Sequence, residues 1–200
     1  MTTRFDVYAV GNALVDLEYR VEDSFLQAQG IEKGVMTLAE ADAQARLLSA
    51  LDSQHTREKQ ASGGSAANSI IAASAFGSRC FYSCKVAADS LGDFYRSDLI
   101  AAGVSTNLQE QRPEGVSGTC VVMVTPDSER TMNTYLGITA DVSVSELDLD
   151  ALRASRWLYI EGYLSTSESA RAAVAVARTE ARTAGVKLAL TFSDPAMVQY

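Results

Sequence analysis

The sequence predicts an α/β fold in which a mostly parallel sheet is covered by helices on both faces. Two observations carry this reading. Short apolar and β-branched runs alternate along the chain with helical stretches, the order that builds a parallel layer with helices above and below it. Three of the helical stretches stop at a glycine, at Gly77, Gly103 and Gly185, where the chain takes a left-handed residue to end a helix.

The elements follow in order. Phe5-Asp6-Val7-Tyr8-Ala9-Val10 reads as the opening strand, ending at Gly11-Asn12. Asn12 and Asp16 come next. Ligands of α/β proteins bind just past the carboxyl ends of strands, so the two are candidate binding groups; the alternative is a turn asparagine and a solvated aspartate. Residues 17–22 alternate with period two, like a strand with one wet face. Thr37-Leu38-Ala39-Glu40 has the form of a capping box, which predicts a helix over 37–51. The polar stretch 52–62 reads as a loop.

Gly63-Gly64-Ser65-Ala66-Ala67-Asn68 is the stretch around which the chain is organised. Two residues without Cβ allow a sharp turn and a close approach. The helix that follows, over 66–75, presents backbone N–H groups without helical partners, and Asn68 offers a donor and an acceptor. A polyhydroxylated ligand or a phosphate suits that arrangement. Taken alone, the hexamer reads rather as a tight turn into a core helix with Asn68 as its cap. It is neither a Gly-x-Gly-x-x-Gly fingerprint nor a Walker loop.

Beyond it, 80–86 reads as a strand, and Asp89 or Ser90 caps a helix that runs to Ala102. Residues 119–125 and 130–135, joined by Pro126-Asp127-Ser128-Glu129, form a hairpin. A short helix over 145–153, a strand over 157–160, a capping box Ser165-Thr166-Ser167-Glu168 opening an alanine-rich helix, and a strand over 186–192 complete the chain. The alternating segments near 17–36 and 115–135 predict a small antiparallel flap beside the main layer.

Composition narrows the function. The 200 residues are 47% apolar and 21% charged, as in ordinary globular proteins. A net charge of −8 disfavours a nucleic acid or an anionic membrane surface as partner. No apolar run has membrane-spanning length, and the N-terminus lacks a signal-peptide core, so the expected location is the cytoplasm. Cys80, Cys84 and Cys120 form no Cys-x-x-Cys pair and read as free, buried thiols. His55 is the only histidine, set in a polar stretch as a loop residue; a histidine-based zinc site or Ser-His-Asp triad is not expected, and no metal ligands are assigned.

Gly11-Asn12-x-x-x-Asp16, the diglycine hexamer and Asp89-x-x-Gly92 together resemble the ribokinase/PfkB carbohydrate kinase family. Asn12 with Asp16, Asn68-Ser69-Ile70, Gly118-Thr119-Cys120 and Arg130 on the hairpin resemble its adenosine-kinase-like branch. Ile70 stands where most sugar kinases of the family carry a small residue, which fits that branch. Ala87 stands where many members have glycine.

The resemblance implies a three-layer ribokinase-like fold with a small β lid formed by about 17–36 and 115–135. Residues 1–200 would be the N-terminal portion of a PfkB-type kinase domain. The family's Gly-Ala-Gly-Asp-type segment, which supplies the aspartate base and the phosphate cradle, has no counterpart in the sequence. The base and most of the ATP site are therefore expected beyond Tyr200, and the chain alone is expected to be inactive.

By the same resemblance, Asp16 accepts hydrogen bonds from ribose hydroxyls, and Asn12, Gly64, Ser65 and Asn68 complete the recognition. Met36, Leu38 and Met132 contact the base or, alternatively, fill core. Tyr163 is a further candidate for the pocket. Arg130 stands near the transferred phosphate or is a surface charge beside Glu129. The implied function is phosphorylation of an adenosine-like ribonucleoside at its primary hydroxyl, with ATP and Mg2+. Partners are then small molecules, nucleoside or sugar. A sugar kinase of the family and a non-catalytic nucleoside-binding protein are the alternatives, and a nicotinamide-dependent Rossmann oxidoreductase lacks its glycine fingerprint.

Overall fold

The computed structural model describes residues 3–109, 111–193 and 197. Two five-stranded sheets share the chain. The first is built from β1 (Phe5–Val10), β5 (Cys80–Ser83), β6 (Val104–Thr106), β9 (Ser155–Glu161) and β10 (Lys187–Thr191), in the order β10-β9-β1-β5-β6. All its pairings are parallel. β1 lies at its centre, and its near-continuous apolar run suits a strand covered on both sides. Val7, Ala9, Cys80, Tyr82 and Val104 face one core, which is closed by α3 (Ser65–Ala75) and α4 (Ser90–Ala101). Tyr8, Val10, Phe81, Leu158 and Ile160 face the other, closed by α5 (Leu149–Arg153) and α6 (Glu168–Ala184). The expected three-layer architecture is therefore present.

Helices α4 and α6 have local causes. Asp89 caps α4 by accepting the Gly92 N–H at 2.7 Å, and the same carboxylate takes the Ser117 N–H and hydroxyl. The Asp89-x-x-Gly92 motif is thus a structural tie between α4 and the segment entering the next strand. Helix α6 buries Ala170, Ala173, Ala177 and Ala181 along one stripe, a spacing that lets its backbone lie close to the sheet. It ends on Gly185 at φ +72°. Its cap is Ser167, which accepts from the Ala170 N–H, so the helix opens two residues later than the Ser165 box predicts.

The second sheet is larger than the expected flap. It contains β2 (Leu14–Arg20), β3 (Met36–Leu38), β4 (Arg57–Gly63), β7 (Gly118–Val124) and β8 (Arg130–Tyr135), in the order β3-β8-β7-β2-β4. It is mixed, with β2–β4 and β7–β8 antiparallel and β2–β7 and β3–β8 parallel. Two expectations are corrected here. Residues 52–62 are not a loop: α2 (Ala41–Gln54) runs on, and Arg57–Gly63 is β4 at the sheet edge. Its Arg-Glu-Lys-Gln start is the charge pattern an exposed edge carries against unwanted pairing. Thr37 opens no helix either; Met36–Leu38 pairs with β8, and the Ala39 N–H donates to the Thr134 carbonyl. Helix α2 begins at Ala41 after Glu40, without a side-chain cap. A further short helix, α1 (Asp23–Ala28), is not foreseen in the sequence.

Val15, Leu17, Tyr19, Val121 and Met123 turn one face of the second sheet into the core shared with α3 and α4, together with Phe25, Leu26, Leu47 and Leu51 of α1 and α2. The chain passes between the sheets four times: at residues 11–13, at Gly64, over 107–117 and after Tyr135. The three cysteines are free and buried. His55 follows α2 and meets the Phe25 ring edge-on at 4.9 Å. Among the described residues no helix is long and apolar enough to cross a membrane.

Gly64 has φ +97°, and a Cβ there would strike the Asn12 carbonyl oxygen. Replacing Gly64 by Ala is expected to lower unfolding stability by at least ~2 kcal/mol, from left-handed strain plus a backbone clash; the shift of the urea midpoint measures it.

Candidate functional site

The site forms where β1 passes into β2 and where β4 turns into α3. Those two connections touch. The glycine pair is needed for that, each member for a different reason. A side chain on Gly63 would occupy the space of the Asp16 carboxylate, and one on Gly64 would occupy that of the Asn12 carbonyl. Two fully buried tyrosines hold the junction: the Tyr82 hydroxyl donates to the Asn12 carbonyl and the Tyr95 hydroxyl to the Gly63 carbonyl, each at 3.0 Å.

Glu161, at the end of β9, closes the arrangement from beneath. It is 2% exposed. One carboxylate oxygen accepts the Asn12 N–H at 2.6 Å; the other accepts the Ser65 hydroxyl at 2.6 Å and the Ser65 N–H at 3.2 Å. The Ala66 N–H adds to the set. Burial pushes the Glu161 carboxyl above the ordinary carboxylate range, against the pull of these donors. The first amides of α3 are therefore directed at Glu161, which changes the expectation that they stand free for a ligand. Ser65 is engaged by the protein itself, and Gly64 acts through its backbone geometry.

Asp16 lies on the opposite face of β2 from the core residues, and registers with Ala61 on β4 and Cys120 on β7. Its carboxylate enters a cavity of about 190 Å3 lined by Asp16, Glu18, Lys59, Asn68, Val122 and Arg130, among others. The structure thus brings Asp16, Asn68 and Arg130 to one hollow between the second sheet and α3. Asn12 is buried beside it, its backbone held as described. A larger, more open hollow of about 420 Å3 at the far end of the second sheet, near Arg20, His55 and Pro126, touches none of these residues.

Burial raises the Asp16 carboxyl to about 6, from an ordinary 3.8. Arg130 and Lys59 pull it down and Glu18 pushes it up, and no hydrogen bond contributes to the balance. Asp16 is thus a half-buried carboxylate whose neighbours, among the described residues, supply charge and no donor.

Met36, Leu38 and Met132 share this face. Glu18 registers with Val122, Val122 with Met132, and Met132 with Met36; in the neighbouring row Asp16, Cys120, Thr134 and Leu38 succeed one another. Residues in lateral register project to the same side of a sheet. The Thr134 hydroxyl bond to the Cys120 thiol at 3.5 Å confirms the shared side. Met132 is two strands from β2, roughly 10 Å at the usual ~4.8 Å spacing. Leu38 is 64% exposed and Met36 and Met132 are half-buried, so these three side chains form a partly open apolar shelf on the carboxylate's side of the sheet. Tyr163 lies in the turn after β9 and is not among the residues lining the Asp16 cavity.

Three residues of the site escape sequence reasoning. Glu161 has only its place at a strand end to announce it. Lys59 and Glu18 face each other across β4 and β2, a pairing hidden once 52–62 is read as a loop. Among the described residues, no group of three or more His, Cys, Asp and Glu side chains is placed to hold a metal ion.

Comparison with known proteins gives this geometry a family. Residues 33–199 match the model of the pfkB family carbohydrate kinases, and the chain belongs to that family. Among solved structures, the adenosine kinase from Sinorhizobium meliloti is similar over 98% of this chain and 59% of its own, at 37% identity and a TM-score of 0.86. A probable sugar kinase from Rhizobium etli CFN 42 is similar over 99% of this chain and 59% of its own, at 35% identity and a TM-score of 0.87. Adenosine kinase from Anopheles gambiae, at 23% identity and a TM-score of 0.83, shares the fold. The chain therefore spans about 59% of the length of the first two. Comparison with curated proteins gave no match.

Asp16 is expected to titrate near 6 by carboxyl-carbon NMR, and higher still in Arg130→Ala, which removes the cation that pulls it down. The folded state holds this proton more tightly than the unfolded chain does. The stability it contributes is therefore complete below 3.8 and is lost as pH rises to about 6. Asp16→Asn should abolish that part of the pH dependence in urea unfolding.

Proposed function

We propose that this chain carries the acceptor-binding portion of an ATP-dependent kinase that phosphorylates a ribonucleoside, adenosine-like, at its primary hydroxyl. The observation that carries the reading is the shared cavity: a half-buried carboxylate without a hydrogen-bond donor among the described residues faces an asparagine on α3, beside an apolar shelf.

Each part has a chemical task. Asp16, once ionised, accepts hydrogen bonds from adjacent ribose hydroxyls, charge-assisted interactions roughly twice as strong as neutral ones. Asn68 supplies a donor and an acceptor across the cavity, with Asn12 at its edge. Met36, Leu38 and Met132 offer the base a flat apolar surface; thioethers pack against ring systems readily. Tyr163, which lies after β9 and outside the lining of the Asp16 cavity, stays a candidate acceptor contact only on the family resemblance. The second sheet, which takes β2 and β3 from either end of 17–36 and β7 and β8 from 115–135, acts as a lid that excludes water from the reaction. Arg130, exposed at the start of β8 and lining the same cavity, stabilises charge on the equatorial oxygens during transfer.

ATP supplies the phosphoryl group. The Mg2+ that the family resemblance implies finds no ligand cluster among the described residues. A sugar kinase is the second reading, favoured by the 35% identity to the probable sugar kinase from Rhizobium etli. The apolar shelf supports the nucleoside reading over it, because a bare sugar has nothing to place there.

In the full-length protein, phosphate transfer to adenosine is expected to exceed transfer to ribose and fructose. Asp16→Ala should lower kcat/KM for adenosine roughly tenfold to a hundredfold for each ribose hydroxyl that it leaves without an acceptor. Equal turnover of the three acceptors would remove the nucleoside assignment, and an unaffected Asp16→Ala would remove the site.

A further inference from the structure

Glu161 is the most heavily hydrogen-bonded carboxylate of the site, and it is sealed from the cavity. Four donors converge on it: the Asn12, Ser65 and Ala66 amides and the Ser65 hydroxyl. No cation pairs with it among the described residues. A charge buried in this way persists only when hydrogen bonds replace its water. Capping α3 alone does not require it, because a Ser or Asp just before the helix does that locally; here the preceding residue is Gly64, without a side chain. The carboxylate also needs space under the β1–β2 turn, where a Cβ on Gly11 would collide with it.

The partners show what the arrangement controls. Asn12 belongs to the turn that launches β2, and with it Asp16. Ser65 and Ala66 belong to the first turn of α3, which carries Asn68. The two segments are otherwise 53 positions apart in the chain, and Glu161 is the side chain bonded to both. It supplies two acceptor oxygens to donors arriving from two directions. Glutamine has the same shape but one acceptor oxygen, and would turn an NH2 group toward an N–H.

We infer that Glu161 is a positioning residue of the acceptor site: by binding the β1–β2 turn with one oxygen and the start of α3 with the other, it sets Asn68 across the cavity from Asp16. Its carboxylate does not itself touch the acceptor. The inference rests on the acceptor-site reading proposed for Asp16 and Asn68, the residues it positions.

The test compares Glu161→Gln, Ser65→Ala and Ser65→Thr with wild type in the full-length protein. Three measurements are made: thermal midpoint, adenosine affinity by calorimetry well below that midpoint, and the Asn68 side-chain amide resonances without ligand. Glu161→Gln and Ser65→Ala are expected to weaken adenosine binding roughly tenfold or more and to displace the Asn68 resonances. Ser65→Thr, which keeps the hydroxyl, should restore both. Should Glu161→Gln not fold, Ser65→Ala and its Thr counterpart carry the comparison alone. Lower midpoints with wild-type affinity and unmoved Asn68 resonances would show Glu161 to be a stabilising group only and overturn the inference. Wild-type protein that binds no adenosine ends the acceptor-site reading instead. The ligand-free Asn68 resonances then decide on Glu161 by themselves: displaced, they support the positioning role; unmoved, they overturn it.

Discussion

Two stretches of backbone, at Asn12 and at Gly63–Gly64, lie against each other with no side chain between them. The rest of the site depends on that junction. It brings the carboxyl end of β1 to the amino end of α3, so that groups from β2, which follows that end, and from α3 reach one cavity. The junction is satisfied on every side: Tyr82 and Tyr95 donate to its carbonyls, and Glu161 accepts its amides. Because interior backbone groups must find partners, three buried polar side chains from β5, α4 and β9 are committed to this one place. The first sheet, through those strands and helices, is the frame in which the corner is held.

Two carboxylates beside this corner have opposite surroundings, and the contrast separates their roles. Glu161 is surrounded by donors and sealed from solvent. Asp16 has burial, two nearby cations and an anionic neighbour, and no hydrogen-bond donor among the described residues. Both are raised above the ordinary carboxylate range by desolvation, yet for different ends. A carboxylate with its bonds made holds structure together, and one with its bonds unmade is a candidate binding group, the role proposed above for Asp16. The adjoining shelf of Met36, Leu38 and Met132 fits the same logic, being an apolar surface next to an unsatisfied acceptor.

Much of this is legible in the sequence. The alternation of strands and helices points to the first sheet, because buried parallel strands read as short apolar runs and helices stop at glycine. Asp16 and Asn68 stand out as polar residues at the ends of apolar elements. What stays hidden has physical reasons. β4 begins Arg57-Glu58-Lys59-Gln60, a sequence suited to an edge strand and indistinguishable by composition from a loop. Met36–Leu38 pairs with a strand almost a hundred residues away, and local helix-capping chemistry at Thr37 points elsewhere; tertiary pairing overrides it. Glu161 cannot be found at all from periodicity, since its meaning lies in partners 149 and 96 positions distant.

The four passages of the chain between the sheets each carry or adjoin a glycine pressed against a neighbour: Gly11 on Glu161, Gly64 on Asn12, Gly118 on Leu136 and Gly137 on Val116. They form a narrow seam. Any change in the angle between the two sheets has to be absorbed in those few peptide units, and the Asn12 and Ser65 amides are among them. A molecule bound between Asp16 on one side and Asn68 on the other spans this seam. Its affinity and the angle of the joint are then one thermodynamic variable seen twice, so whatever stiffens the seam tunes recognition, and recognition stiffens the seam in equal measure.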